Sequence, residues 1–359
     1  DQWVEAFAWA PDSSKIYFTS EYQGEAPLYE VAVTGGTVHK VADGFFDSPQ
    51  VSKDGQSIWV AGMTIAMPSE IFVLHLKGTG AATKTQLTQV NTPVLSQIEM
   101  QPLESFWFIG AANAKVQGFI VKPPSFDAAK KYPVKFLIHG GPEGAWGDDW
   151  SYRWNPALFA ADGYVVVMVN PRGSTGYGQK FTEEIVGDWG GKSFQDLMLG
   201  LDYAEKKFPF IDKNRECALG ASYGGYMIDW IIGHTDRFKC LVTHDGMFDT
   251  VSAYGSTEEL WFPEWEFQGT PWNNRAMYEK WSPLNSAPKF KTPTLVVHGQ
   301  LDYRLDVSQG FELFTYLQRL KVPSEMLYFP DEGHWVLKPQ NAQLWWKTVG
   351  DWVDSYLKK

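Results

Sequence analysis

The chain has two cysteines, Cys217 and Cys240, among 359 residues. So few exclude a disulfide framework of the kind that staples small secreted domains. Both fall on expected core strands, which favours buried thiols and leaves a single bridge between them open. No run approaches 18 consecutive apolar residues, so no spanning helix is expected. Basic residues are scarce, 31 against 42 acidic ones, for a net charge of −11. Nucleic acid is therefore not an expected partner, since phosphate backbones are held by clustered Lys and Arg. The seven histidines include no pair at metal-ligand spacing such as His-Glu-x-x-His, and neither metal nor cofactor is expected. No signal peptide is legible at the start, where Trp3–Trp9 already alternates like a strand.

What the first ninety residues do contain is a repeat. Ala10-Pro-Asp-Ser-Ser-Lys-Ile-Tyr-Phe18 returns 42 positions later as Ser52-Lys-Asp-Gly-Gln-Ser-Ile-Trp-Val60. Each copy gives a turn and then an apolar strand. A second strand follows at 27–33 in one copy and 70–76 in the other. This period, with several short strands per unit, reads as β-propeller blades. Two blades cannot close a ring. The expectation is a C-terminal part of a longer protein, with the remaining blades upstream or on a separate chain.

Beyond residue 92 the pattern changes. A hairpin is expected across 106–109 and 116–121, followed by strands at 134–139, 164–169, 216–219, 238–243, 294–298 and 324–329. Helical patterns alternate with them at 193–207, 222–233, 307–320 and 340–357. This alternation predicts a doubly wound, mostly parallel sheet over 93–359. In such sheets the chemistry sits at the carboxyl ends of the strands.

Gly220-Ala-Ser-Tyr-Gly224 is a nucleophile-elbow pattern between an apolar strand and a helix. Serine needs a base, and the base needs a carboxylate to fix its tautomer. On an α/β-hydrolase sheet these follow in the order Ser, acid, His. Asp302 lies just past the strand 294–298, and His334 lies in the loop after the next strand, so Ser222, Asp302 and His334 are the expected triad. Asp306, the nearest rival acid, falls at a helix start where capping is its natural role. For an oxyanion hole, the N–H of Tyr223 follows the nucleophile, and His139-Gly-Gly-Pro142 offers the N–H of Gly141. His139 is expected to hold that loop, with a side-chain contribution to the oxyanion site as the alternative; His244 is expected in the core, with lining the site as the alternative, and His298 is read as a satisfied histidine at a strand end. Asn170-Pro-Arg-Gly-Ser-Thr-Gly-Tyr-Gly178 has the glycine spacing of no dinucleotide fingerprint and reads as a structured loop near the site.

Together the blade repeat, His139–Pro142, Asn170–Gly178, Gly220–Gly225, His298-Gly-Gln-Leu-Asp-Tyr-Arg304 and Gly333-His-Trp335 resemble the prolyl oligopeptidase family of serine peptidases. The resemblance implies an α/β-hydrolase domain over 93–359, preceded by the last two blades of a β-propeller over 1–92. It implies a serine exopeptidase that releases dipeptides from short peptides through an acyl-enzyme. An acylaminoacyl peptidase or oligopeptidase of the same family is the alternative, and a carboxylesterase a more distant one. It also implies that Arg304 binds a substrate carbonyl, with an ion-pair role as the alternative, and that Phe248, Val251 and Tyr254 wall a pocket for small or hydrophobic P1 residues. The resemblance further implies that the acidic amine clamp of dipeptidyl peptidases lies on propeller blades upstream of this sequence. Glu258-Glu259, in the hydrolase half, is read as an ordinary solvated pair. Peptide substrates are expected, with neither nucleic acid nor membrane as partner, in a secreted or periplasmic setting; a homodimer is left open.

Overall fold

The computed structural model describes residues 2–77 and 80–358. The chain divides into two compact units. One comprises Asp1–Leu103, Ala145–Leu158 and Thr175–Phe181; the other comprises Glu104–Gly144, Phe159–Ser174 and Thr182–Lys359.

The first unit holds two four-stranded antiparallel sheets, in the manner of propeller blades. Strands β1 (Phe7–Trp9), β2 (Lys15–Thr19), β3 (Leu28–Ala32) and β4 (His39–Ala42) form one in sequential order. Strands β5 (Phe45–Val51), β6 (Ser57–Thr64), β7 (Met67–Lys77) and β8 (Gly80–Gln86) form the other. The 42-residue repeat is visible bond by bond. Asp12 Oδ1 accepts the Ser14 N–H at 3.0 Å, and 42 positions on Asp54 Oδ1 accepts the Gln56 N–H at 3.0 Å. Between them Ser13 and Gly55 share a left-handed backbone, with φ of 58° and 68°. Side-chain acceptance of a backbone N–H two residues on is what makes Asp a turn former. The two sheets share a core that includes Tyr17, Leu28, Phe46, Ile58 and Leu74. The loops 145–158 and 175–181 are tied into this unit by the bonds Asp148 N–H to Gly24 O (2.7 Å) and Gln23 N–H to Gly176 O (3.2 Å).

The second unit is built on one eight-stranded sheet. Its strands are β9 (Glu104–Ile109), β10 (Lys115–Val121), β11 (Tyr132–Ile138), β12 (Val165–Asn170), β13 (Ile211–Ala221), β14 (Cys240–His244), β15 (Thr294–Gly299) and β16 (Ser324–Phe329). Their order is β9-β10-β12-β11-β13-β14-β15-β16, with β10 antiparallel to both its neighbours β9 and β12 and the remaining pairs parallel. This is the doubly wound α/β-hydrolase sheet that the alternation predicts. Every residue of β11, β12, β14 and β15 is buried, which is why they read as continuous apolar runs rather than alternating ones. The one Lys or acidic residue on these four strands is Lys135 on β11. It donates to Phe159 O at 3.0 Å and lies 4.0 Å from the centre of the Tyr164 ring, and burial brings its pKa down to about 8.

Strand β13 begins at Ile211, five residues before the expected start. Only Tyr132 pairs with that first stretch, and a register shift follows before Val134 meets Glu216. Cys217 and Cys240 are register partners on β13 and β14 and are free, buried thiols. The C-terminal helix Pro339–Leu357 opens on proline and buries Trp345, Val349, Trp352, Val353 and Leu357, a stripe at helical spacing. Among the described residues no helix is long and apolar enough to cross a membrane.

Candidate active site

Strand β13 ends at Ala221 and the helix Tyr223–Ile231 starts two residues on, so Ser222 alone makes the turn. It does so with φ 60° and ψ −121°, a conformation that costs a non-glycine residue about 1–3 kcal/mol. The surroundings hold it there. Ser222 N–H donates to His244 O at 2.9 Å, and Ser222 O accepts the Tyr226 N–H at 2.8 Å. The flanking glycines are dictated by contact. A Cβ on Gly220 would stand 2.3 Å from Gly224 O, and a Cβ on Gly224 would stand 2.2 Å from Ile138 O. The elbow is thereby pressed against the end of β11.

Asp302 lies in the turn after β15 and is fully buried. Its Oδ1 accepts the N–H groups of Arg304 and Leu305, each at 2.9 Å. Its Oδ2 accepts Nδ1–H of His334 at 2.7 Å. Burial pushes this carboxyl up, but the hydrogen bond and charge of His334, the imidazole of His298 and the Leu305 N–H outweigh it and hold Asp302 below the usual range. His334 follows β16 in a loop that lies against the Asp302 turn: Leu301 N–H donates to Glu332 O at 2.9 Å, and a Cβ on Gly299 would stand 2.3 Å from Gly333 O. Asp306 accepts the Ser308 N–H at 3.0 Å beside the start of helix Ser308–Arg319, the capping role expected of it.

Gly141 sits at φ 120°, a region open to glycine, in the loop after β11. A Cβ on the preceding Gly140 would stand 3.2 Å from the Ser222 Cβ, so this loop passes close beside the serine. His139 fastens the loop. Its Nδ1 is 2.8 Å from Gly140 O and its Nε2 is 2.9 Å from Ser174 Oγ; burial lowers its pKa to about 4, which keeps the ring neutral. The loop at 170–174 is fastened by Arg172, which is buried. Its Nε and Nη2 each reach a different oxygen of Asp196 at 2.7 Å, and Nη2 also donates to Ala111 O at 2.7 Å.

Tyr223 is buried, and its hydroxyl donates to Trp189 O at 2.7 Å and lies 3.0 Å from Ser193 Oγ. Trp189 Nε1–H donates to Glu266 at 2.5 Å. Glu266 is also under the charge of Glu143, two residues past Gly141. Burial, and then the charge of Glu143, push Glu266 up to about 8.

The expected pocket residues divide. Phe248 is a correction: its ring is fully buried, 5.4 Å from Tyr316 and 6.2 Å from Phe290, and so it is core rather than a surface that substrate can touch. Gln309 holds this turn by accepting the N–H groups of Phe248 and Asp249. Val251 and Tyr254, on the helix Thr250–Tyr254, are partly exposed, and Tyr254 donates to Glu264 at 2.9 Å. The guanidinium of Arg304 is 3.0 Å from Glu259 and 3.7 Å from Glu258. That acidic pair is therefore not simply solvated; it is drawn to the turn that carries Asp302.

Three residues with no sequence motif also belong here. Asp245, one residue past β14, is buried with its Oδ2 3.7 Å from His334 Nδ1 and 3.1 Å from His244 Nε2. Glu332, two residues before His334, accepts the N–H groups of Leu337 and Lys338 and so ties the His334 loop to the start of the C-terminal helix. Glu266 is described above. Among the described residues Asp245, Asp302 and His334 are the one group spaced closely enough to share a cation. The donor set does not suit one, because the Nδ1 that would ligate carries the proton given to Asp302.

A serine on a strained elbow, with an Asp–His pair at the ends of the two last strands, defines an α/β-hydrolase of the serine type. The chain matches the profile of the Prolyl oligopeptidase family over residues 150–359, and it belongs to that family. It is 50% identical over 257 residues to dipeptidyl-peptidase 5 of Schizosaccharomyces pombe, covering 71% of this chain and 38% of that protein. It is 40% identical to the probable dipeptidyl-peptidase 5 of Aspergillus clavatus, covering 99% of this chain and 50% of that one. The chain thus spans half or less of the length of these relatives. Among solved structures, Pyrococcus horikoshii acylaminoacyl peptidase aligns with a TM-score of 0.89 at 27% identity, over 100% of this chain and 56% of that one. Porphyromonas gingivalis dipeptidyl peptidase 4 aligns with a TM-score of 0.82 at 20% identity, a likeness of fold, over 99% of this chain and 50% of that one.

Proposed function

We propose that Ser222, Asp302 and His334 act as a catalytic triad in a serine exopeptidase that releases dipeptides from the N-termini of short peptides. The observation that carries this reading is the 2.7 Å bond from His334 Nδ1 to the buried Asp302, in a sheet whose elbow presents Ser222. With Nδ1–H committed to Asp302, Nε2 is the lone-pair nitrogen of the neutral ring and takes the proton from Ser222 Oγ. Oγ then attacks the scissile carbonyl, and the imidazolium is stabilised by the ionised Asp302. The N–H groups of Gly141 and Tyr223 receive the oxyanion, each worth about 3 kcal/mol of transition-state stabilisation. His334 returns the proton to the leaving amine, and water hydrolyses the acyl-enzyme with the same base.

Val251 and Tyr254 are the candidate wall for a small or hydrophobic P1 residue. Arg304, partly exposed beside the Asp302 turn, is the candidate for a substrate carbonyl. The names carried by the fungal relatives support dipeptide release; the fold neighbour from Pyrococcus horikoshii supports an acylaminoacyl peptidase as the second reading.

The test uses the intact protein and two fluorogenic amides, one with a free N-terminal amine and its N-acetylated twin. Cleavage of the free form alone is expected. Preference for the acetylated form moves the assignment to acylaminoacyl peptidase.

A further inference from the structure

We propose that Asp245 is a second orienting carboxyl for His334, standing in reserve behind Asp302. The inference rests on the reading of His334 as the base, and it concerns which groups can hold that base in place.

Asp245 reaches this position through the topology. Strands β14 and β15 are parallel neighbours, with His244 level with Val297, and the Asp245 N–H continues the ladder to Val297 O at 3.0 Å. The strand ends at His244, and Asp245 follows with φ 51°, a left-handed conformation that Asp tolerates better than most residues. Asp302 sits in the turn after β15, so the two carboxyls emerge from adjoining strand ends. One oxygen of each and one imidazole nitrogen of His334 lie within 4.8 Å of one another. Asp302 holds the imidazole at 2.7 Å and Asp245 stands at 3.7 Å.

Asp245 is costly to keep and has no other task that accounts for it. It is 1% exposed, and its Oδ1 has no hydrogen-bond partner among the described residues. The titratable groups that face it are His244 on β14, His298 on β15, Asp302 after β15 and His334 after β16. Two carboxylates beside one imidazole cannot both ionise cheaply. Asp302 ionises, and Asp245 is pushed up to about 8, by burial first and with the charge of Asp302 adding to it against the two imidazoles His298 and His334. At neutral pH Asp245 is therefore an uncharged acid standing behind the working pair.

Removing Asp302 removes that repulsion. Asp245 then ionises at lower pH, and closing from 3.7 Å to the 2.7 Å that Asp302 holds is a movement of about 1 Å. It would accept Nδ1–H and keep His334 in the tautomer that Ser222 needs. Loss of the orienting acid in a triad ordinarily costs about 10⁴ in kcat. With a second carboxyl in reach, the loss on Asp302→Ala is expected to be nearer 10², and Asp245→Asn in the same background to cost at least a further tenfold.

The experiment compares the whole chain unaltered, D302A, D245N and D302A/D245N. It reads kcat/KM on the fluorogenic amide that the unaltered chain cleaves and, separately, the second-order rate of labelling by a fluorophosphonate. The expected result is that D245N costs more in the D302A background than in the intact chain. The pH–rate profile of D302A should also show an ionisation that D302A/D245N lacks, a difference that loss of packing alone would not give. If D302A fails to fold, D302N and D302N/D245N, which keep the side-chain shape, replace it. Equal rates and equal pH profiles in the single Asp302 variant and the double variant overturn the proposal. Unaltered activity in D302A and in the double variant alike instead overturns the triad reading on which it rests.

Discussion

Nδ1 of His334 donates to Oδ2 of Asp302 across 2.7 Å, and the carboxylate that accepts it is fully buried. Thirty-two residues separate the two in sequence, so only the folding of two adjacent strand ends brings them together. This one bond fixes which imidazole nitrogen is free to act as a base.

Ser222→Ala is expected to lower kcat by about 10⁶, the scale found when a triad nucleophile is removed. The elbow should survive, because alanine meets the same contacts without the hydroxyl. Steady-state kinetics of the purified variant check this, with thermal unfolding as the control for folding.

Two glycines should respond in opposite directions to alanine. At Gly224 the new Cβ would stand 2.2 Å from the Ile138 carbonyl oxygen, a backbone atom that cannot swing away, and a loss of at least about 3 kcal/mol is expected. Gly350 lies inside the helix Pro339–Leu357 with nothing within 4 Å of a Cβ, so Gly350→Ala should stabilise by about 0.5–1 kcal/mol. Denaturant midpoints of the two variants give both signs in one experiment.

Asp196→Ala should cost about 3–5 kcal/mol, because it strands the buried Arg172 guanidinium without its principal partner. Urea unfolding measures it. A cost under about 1 kcal/mol would mean that Glu184, which contacts Arg172 at 3.2 Å, suffices alone.

Glu266 predicts a pH dependence of stability. Its pKa is raised in the fold, from 4.5 to about 8, by burial and then by the charge of Glu143. The folded state therefore binds more protons in that interval than the unfolded chain does. The stability this group contributes is fully present below about pH 4.5 and is lost as pH rises through about 8. Tm of the unaltered chain should fall between pH 5 and pH 9, and Tm of Glu266→Gln should fall less, since glutamine has no proton to lose. Parallel curves for the two proteins would contradict this.

Much of the hydrolase sheet was legible because its strands are buried on both faces and read as apolar runs between helical patterns. The elbow was legible because steric contact with Gly224 and Ile138 leaves room only for glycine, and the glycine spacing is the imprint of that contact. The blade repeat was legible because the same Asp-centred turn recurs at residues 12 and 54.

The rest depends on contacts between residues far apart in the chain. Asp245 has no motif around it, and its place beside His334 comes from the neighbouring strand ends of β14 and β15. Glu266 and Glu143 are 123 positions apart in sequence, and only the fold brings the charge of one to bear on the other. Phe248 has the composition of a pocket wall, but whether an aromatic side chain faces a cleft or the core is decided by Tyr316 and Phe290, which no local pattern announces. The ion pairs of Arg304 with Glu258 and Glu259 likewise join two loops more than forty residues apart.

The most direct test of the account is to label the whole chain with a fluorophosphonate and locate the adduct by mass spectrometry of the digested protein. The account predicts one equivalent on Ser222, abolished in Ser222→Ala and slowed by orders of magnitude in His334→Ala. An adduct on another residue, or undiminished labelling in either variant, would contradict it.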